Sequence, residues 1–237
     1  MEDVNKTNKT ASPSYGSSAH YSEKSGEAYF NKQQLPGKLA SRWNLYLWSE
    51  NINPDDQILD FGCGGGDLLS MLPGKRKVGV EINPAAYKYA NALGIDIYPT
   101  LDDVPLGGFT KAISSHALEH IPHPLIALKG IHRLLLPTGI LLLLLPLDDW
   151  RAKPHRMYKP GNVDRHLYNW TPQILGNLLE EAGYTEIEIK LIEDAMPPNP
   201  KLVNFLQNRI VLRRIIGRSL SFILKRRQLF AKALVQI

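Results

Sequence analysis

The sequence predicts an α/β fold built on a doubly wound, mostly parallel β-sheet. Three observations carry that expectation. Short apolar runs alternate with helical stretches from Gln57 to about Leu145, the rhythm of βαβ units. A glycine-rich turn, ILDFGCGGGDLL from Ile58 to Leu69, joins the first such strand to the next helix. The run GILLLLLP is apolar without alternation, as a strand covered on both faces must be. It is far shorter than the roughly 20 residues a membrane span requires.

Residues 1–19 are rich in Ser, Thr, Asn and Lys and are expected to form a disordered leader before a single domain over 20–237. From Leu35 to Asn51, Leu39, Trp43, Leu45, Tyr46 and Leu47 recur at helical spacing, predicting a helix packed ahead of the first strand. KVGVE reads as the second strand, ending on Glu81. INPAAYKYANALG is a helix with Pro84 near its first turn and Gly94 as its stop. IDIY is a third strand and TLDDVP an acidic connector. Strand four, a helix and strand five follow, up to Pro146. The polar segment 147–170 is too long for a mere connection and is expected to face a substrate. WTPQILGNLLEEAGY starts a helix, with Thr171 as cap, Pro172 at its first position and Gly183 as its stop. EIEIKLI alternates as a strand, residues 197–227 form a helical insertion, and QLFAKALVQI supplies the last strand.

The glycine turn carries the chemistry. Gly62, Gly64 and Gly66 allow a sharp turn with no Cβ in the way of a ligand. Asp67 opens a helix whose free N–H groups face the crevice outside the strand ends. Glu81 lies roughly 20 residues downstream, the spacing of an acid that takes both hydroxyls of a ribose. A dinucleotide fingerprint needs a small residue at the third slot after Gly62, and that slot holds Asp67, which would also repel a diphosphate. The pattern present is D-x-G-x-G-x-G, through Asp60, Gly62, Gly64 and Gly66. An unrelated glycine-rich turn and a nicotinamide-binding loop remain the alternatives on this motif alone.

That pattern, with Glu81 and the later phrase HALEHIPHP, resembles the class I S-adenosylmethionine-dependent methyltransferases, over roughly Gln57 to Pro146. The resemblance implies a seven-stranded, Rossmann-like methyltransferase sheet with an antiparallel C-terminal edge strand. It implies S-adenosyl-L-methionine as cofactor, held by Asp60, Gly62, Cys63, Gly64, Glu81, Ile82, Leu101, Asp102, His116 and Ala117, with Asp102 or Asp103 beside the adenine. Where the family usually ends its helix with Lys-Pro-Gly-Gly, this chain has Leu136, Pro137, Thr138 and Gly139, on the far side of the sheet from the crevice. HALEHIPHP and HLYNWTP resemble enzymes associated with surface-polysaccharide synthesis, which implies a small-molecule acceptor such as a sugar hydroxyl. A cofactor-binding scaffold without catalysis and a nicotinamide-linked oxidoreductase are the rival functions.

An oxygen acceptor must lose a proton, and histidine is the side chain suited to take it near neutral pH. His116, directly after strand four, is the first candidate. His166, in the segment after strand five, is the second, and Asp149 the third; His155 shares that segment. His120 is read as fixing the LEH turn, and Cys63 as a small side chain filling its turn. Trp170 is expected to pack and Thr171 to cap. There is no His-x-x-x-His, Cys pair or tight carboxylate cluster, so no metal is expected.

The chain has 237 residues, 43% apolar and 22% charged, ordinary for a globular protein. Its one cysteine excludes an intramolecular disulfide and points to a reducing, cytoplasmic setting. The first dozen residues lack an apolar core, so no signal peptide is expected. Residues 201–237 hold nine Lys or Arg and no acid, leaving 19 bases against 23 acids elsewhere. On a helical wheel Phe205, Val211, Leu212, Ile215, Ile216, Phe222 and Ile223 share one face, with Arg209, Arg213, Arg214 and Arg218 on the other half. The favoured reading is a helical cap with a solvated basic face, because Gly217 would break the helix. Weak docking on an anionic membrane surface is the other. No reader motif points to nucleic acid.

Overall fold

A computed structural model describes residues 14–16, 20–21, 23–148, 157–162, 164–207 and 209–236. Five parallel strands form one half of the sheet: β1 (Gln57–Phe61), β2 (Arg76–Val80), β3 (Asp96–Tyr98), β4 (Phe109–Ser115) and β5 (Leu135–Asp148). β6 (Tyr184–Ile192) and β7 (Arg226–Val235) complete it in the order β3-β2-β1-β4-β5-β7-β6. The antiparallel edge is a pair: β7 runs against both β5 and β6, with β6 outermost. The order reverses between β1 and β4, which places a crevice at their carboxyl ends.

The sheet is covered on both faces because alternate side chains of its central strands are apolar on both sides. Leu141, Leu143 and Leu145 of β5 pack with Ala127, Leu128 and Ile131 of α4 (Pro124–Leu134) and with Leu175 and Leu179 of α5 (Pro172–Glu181). Leu142 and Leu144 face the other way, onto Leu47 and Trp48 of α1 (Glu23–Ser49) and Leu68 and Leu69 of α2 (Asp67–Met71). Each leucine from 141 to 145 is fully buried. α3 (Tyr87–Ala92) follows a 3₁₀ turn at Pro84–Ala86, so the expected single helix there is split. α5 starts where expected, its first turn capped by Thr171 Oγ1 accepting from Ile174 N–H at 3.2 Å.

α1 is twelve residues longer at its start than the apolar spacing predicts and runs through Pro36. The leader also departs from expectation. Tyr15, inside the stretch 1–19, is buried, packs edge-on against Phe61 at 5.3 Å between ring centres, and accepts from His123 N–H through its carbonyl at 3.1 Å. A large aromatic side chain with a core site to fill outweighs the polar composition around it.

The insertion between β6 and β7 is two helices, α6 (Pro200–Leu206) and α7 (Ile210–Leu224). Val203 and Leu206 of α6 pack on Leu39 and Trp43 of α1. In α7 the buried side chains are Arg213 and Ser221, with Gly217 between them. Arg213 was assigned to the solvated half of the wheel; instead its guanidinium donates to Asp194 Oδ2 at 2.7 Å. Trp43 Nε1–H and the Tyr46 hydroxyl donate to the same carboxylate at 3.0 and 3.2 Å. Gly217 does not break the helix. A Cβ there would collide with Asp194 Oδ1, so glycine is what lets α7 approach the carboxylate.

Arg213→Ala removes the cation from a buried carboxylate, a change that typically costs about 3–5 kcal/mol. Urea unfolding of the variant should show a loss on that scale with an unchanged m-value, and a loss below about 1 kcal/mol would contradict the buried pairing.

Candidate active site

Gly62, Cys63 and Gly64 carry the chain off β1 with Gly62 and Gly64 at positive φ (76° and 52°). A Cβ on Gly62 would strike Ala117 Cβ, so glycine at this point brings the β1 and β4 turns into contact. Nothing lies within 4 Å of a Cβ built on Gly64, which borders open cleft. Gly66 caps α2 at φ 81° and is pressed against Ile95.

Two acids sit behind this loop. Glu81 accepts from Gly64 N–H and Asn83 N–H, each at 2.9 Å, so it ties the glycine loop to the end of β2. Its carboxyl is held above the usual range by burial, with those backbone donors pulling the other way. Burial, then the nearby Glu81, push Asp60 up to about 8. Burial raises the Cys63 thiol further still, and its side chain fills the turn beside Gly79 rather than offering a thiolate.

Asp60, Gly62, Cys63, Gly64, Glu81, Ile82, His116 and Ala117 all line one cleft of about 510 Å³. Leu101 and Asp102 do not. Leu101 is buried, and Asp102 turns outward to Arg133 at 3.1 Å. Asp103 caps its own 3₁₀ turn, accepting from Thr100 Oγ1 at 2.7 Å. Both carboxylates of this connector, expected beside the cofactor, have local partners. Tyr15 lines the cleft close to Leu101.

The other end of the cleft is built on Glu119, whose carboxylate is fully buried in the LEH turn. His116 Nδ1 lies 3.4 Å and His120 Nε2 3.9 Å from Glu119 Oε1. His116 is held at φ 53°, a conformation L-residues adopt at a cost, by its N–H to Leu144 O at 2.8 Å. Its Nε2 meets Gln228 Oε1 at 2.8 Å. Burial lowers the His116 pKa, but the nearby Glu119 carboxylate, with Gln228, outweighs it and leaves a net rise. Glu119 mirrors this: burial raises its carboxyl, and His116 and His120 bring it below the usual range.

His120 has the opposite character. The Tyr21 hydroxyl donates to Asp164 O at 2.6 Å, so its oxygen accepts from His120 Nδ1–H at 2.8 Å. Its Nε2 lies on the Glu119 side, 3.9 Å from the carboxylate. Burial holds this imidazole below its ordinary pKa, against the pull of Glu119. His166 comes in through Leu167 N–H, which donates to Glu119 O at 2.7 Å and sets the His166 ring 5.0 Å from His120. Glu119, His120 and Tyr21 are the residues that sequence reasoning missed as chemistry. Asp149 and His155 lie outside the described residues.

The cleft fits a cation-bearing nucleoside: two buried acids at one end, and beside Gly64 a space that a side chain would fill. S-adenosylmethionine would be held by the glycine loop, Asp60 and Glu81. Asp60, with its folded pKa near 8 against 3.8 unfolded, stabilises the ligand-free protein fully below about pH 4 and loses that contribution as pH rises through 8. A bound cation favours its carboxylate, so cofactor affinity should climb with pH up to about 8, with a proton released below it. Calorimetry in buffers of different ionisation enthalpy checks this. Asp60→Asn should abolish the released proton, and a release unchanged in that variant would assign it elsewhere.

A family model described as a methyltransferase domain matches residues 31–189. The ubiquinone biosynthesis O-methyltransferase of Dinoroseobacter shibae is 28% identical over 172 residues, covering 65% of this chain and 69% of that protein. A demethylmenaquinone methyltransferase of Symbiobacterium thermophilum is 25% identical over 197 residues, covering 64% and 77%. Among solved structures, an S-adenosylmethionine-dependent methyltransferase of Thermotoga maritima, a possible histamine N-methyltransferase, superposes with TM-score 0.58 at 21% identity, covering 73% of this chain and 86% of that one. The glycine loop, the sheet order and the domain match place this chain in the methyltransferase-domain family, as an enzyme that uses S-adenosyl-L-methionine.

Proposed function

We propose that the protein transfers the methyl group to an oxygen of a small acceptor with an aromatic or apolar body, and that His120 takes the proton. The single observation that carries this reading is the bracing of His120 at the cleft: Tyr21 Oη lies 2.8 Å from its Nδ1 and donates to Asp164 O, and the ring lines the cleft. S-adenosylmethionine supplies an electrophilic methyl carbon on a sulfonium.

The chain's own work is to orient the acceptor, exclude water and move one proton. As the acceptor hydroxyl is methylated, His120 would take its proton, and the imidazolium formed would lie 3.9 Å from the Glu119 carboxylate. Tyr21 holds the ring in place through its bond to Asp164 O. His116, the first candidate by chain position, is less suited to this task. Both of its ring nitrogens are engaged, by Gln228 and Glu119, and it keeps a proton more firmly. Its contact with Glu119 suits a residue that neutralises the carboxylate and fixes its direction.

Tyr21, Tyr29, Phe30 and Met196 line the same cleft, which supports an acceptor with an apolar or ring-shaped body. The O-methyltransferase name of the Dinoroseobacter relative supports an oxygen acceptor. The test is incubation with labelled cofactor and separate lipid and aqueous extracts, followed by mass analysis of methylated products. Label in a hydroxylated lipid-phase compound supports the reading. Label confined to water-soluble sugars would instead favour the sugar hydroxyl implied by HLYNWTP.

His120→Ala should lower kcat by about 10²–10⁴-fold, the usual share of a positioned base, with cofactor affinity retained. Because burial lowers the His120 pKa, the native rate should hold on the acid side of the ordinary histidine value of 6.5 and fall only below it. Full turnover in the variant at pH 7 would remove His120 from the mechanism.

A further inference from the structure

We propose that the outer face of α7 docks on an anionic lipid bilayer. This assignment stands apart from the identity of the acceptor. The helix is oriented against its own amphipathicity. Its inward face is Arg213, Gly217 and Ser221, while Val211, Ile215, Phe222 and Ile223 are 74%, 58%, 84% and 70% exposed. Left to the hydrophobic effect alone, a helix of this composition would bury the stripe Val211–Ile215–Phe222 and leave its arginines in water.

A polar pin prevents that. Arg213 is locked to Asp194 inside the domain, and Asp194 is itself gripped by Trp43 and Tyr46. One residue on, Ala195 N–H donates to Gly217 O at 3.0 Å. Rotating α7 to bury its apolar stripe would expel Arg213 and leave Asp194 uncompensated in the interior. The apolar face is thus held outward by a buried ion pair. Large exposed apolar patches of this kind mark interaction surfaces.

Charge identifies the occupant. Arg214 and Arg218 flank the stripe, Arg209 lies over Phe205 at 4.0 Å at one end, and Lys225 stands at the other. No acid occurs anywhere in residues 201–237. A second copy of this chain packed on the same face would set these cations against their own images, because a two-fold interface repeats one patch on both sides. An anionic membrane offers what the face lacks: negative charge at headgroup level and an apolar layer for Phe222 and Ile223. The position also suits delivery of an acceptor to the cleft. α1 carries Leu39 and Trp43 against α6 and lines the cleft with Pro36 and Ala40.

The test is co-sedimentation of the full chain with vesicles of phosphatidylcholine alone or mixed equally with phosphatidylglycerol. Binding is expected only to the mixed vesicles and should weaken with salt. Phe222→Asp should abolish it, and the double variant R214A/R218A should weaken it by about tenfold or more. Neither change touches the interior, so thermal melts should match the unaltered protein. Equal recovery with both vesicles, or binding unaffected by Phe222→Asp, overturns the proposal. So does a lipid-free dimer in sedimentation velocity that Phe222→Asp disperses, which would assign the face to a second copy.

Discussion

The acceptor half of the cleft depends on one buried carboxylate. Glu119 has no exposed surface, and a charge in that position must be met by positive groups or donors. The only positive partners near it among the described residues are the His116 and His120 rings, at 3.4 and 3.9 Å, and three separate segments converge around them. His116 is held in a left-handed conformation beside it, and His120 follows it in the turn. The segment around His166 is tied down by Leu167 N–H on the Glu119 carbonyl. Tyr21, 99 residues before His120, locks that ring and reaches Asp164 at the same time. The bonds that join these segments run through the Glu119 carbonyl, the His120 ring and Asp164 O, around the buried carboxylate.

The cofactor half follows a different constraint. Here the determinant is what is absent, a side chain at Gly62 where the β1 turn meets Ala117 and at Gly64 beside the open cleft. Glu81 then holds the loop through two backbone N–H groups, and Asp60 and Glu81 together make a region that favours positive charge over phosphate. A loop that must be bare, with acids behind it, discriminates against dinucleotides by electrostatics as well as by shape. The Asp67 carboxylate at the head of α2 acts in the same direction.

This difference explains what the sequence made legible. The sheet, the glycine loop and Glu81 are local: a strand, its turn and the next strand end lie within about 25 residues, and the requirement for glycine is written at each position. The same is true of the Thr171 cap. The Glu119 cluster draws on residues near 20, 120 and 165, and no spacing rule announces such a meeting. Tyr15 was misread because composition averages over a segment, whereas one aromatic side chain can be captured by the core. The ion pair of Asp102 with Arg133 forms between neighbouring surface elements, and no spacing in the sequence announces it. In α7 periodicity separates apolar from basic positions but does not show that Arg213 alone of its arginines points inward. That choice is made by Asp194, which lies in the segment after β6.

The pin at Asp194 connects these levels. Burying an ion pair gains little net stability, because desolvation offsets most of the attraction. What it supplies is a fixed orientation. With Arg213 committed to the interior, the apolar stripe cannot relax inward. Asp194 also directly precedes Ala195 and Met196, so the residue that sets the rotation of α7 is two positions from a side chain lining the cleft. The surface and the cleft therefore share a support: α1 supplies Trp43 and Tyr46 to the pin, Leu39 to α6, and Pro36 and Ala40 to the cleft wall. The same helix also packs on the glycine-loop side of the cleft, where Leu47 and Trp48 meet Leu68 and Leu69 of α2.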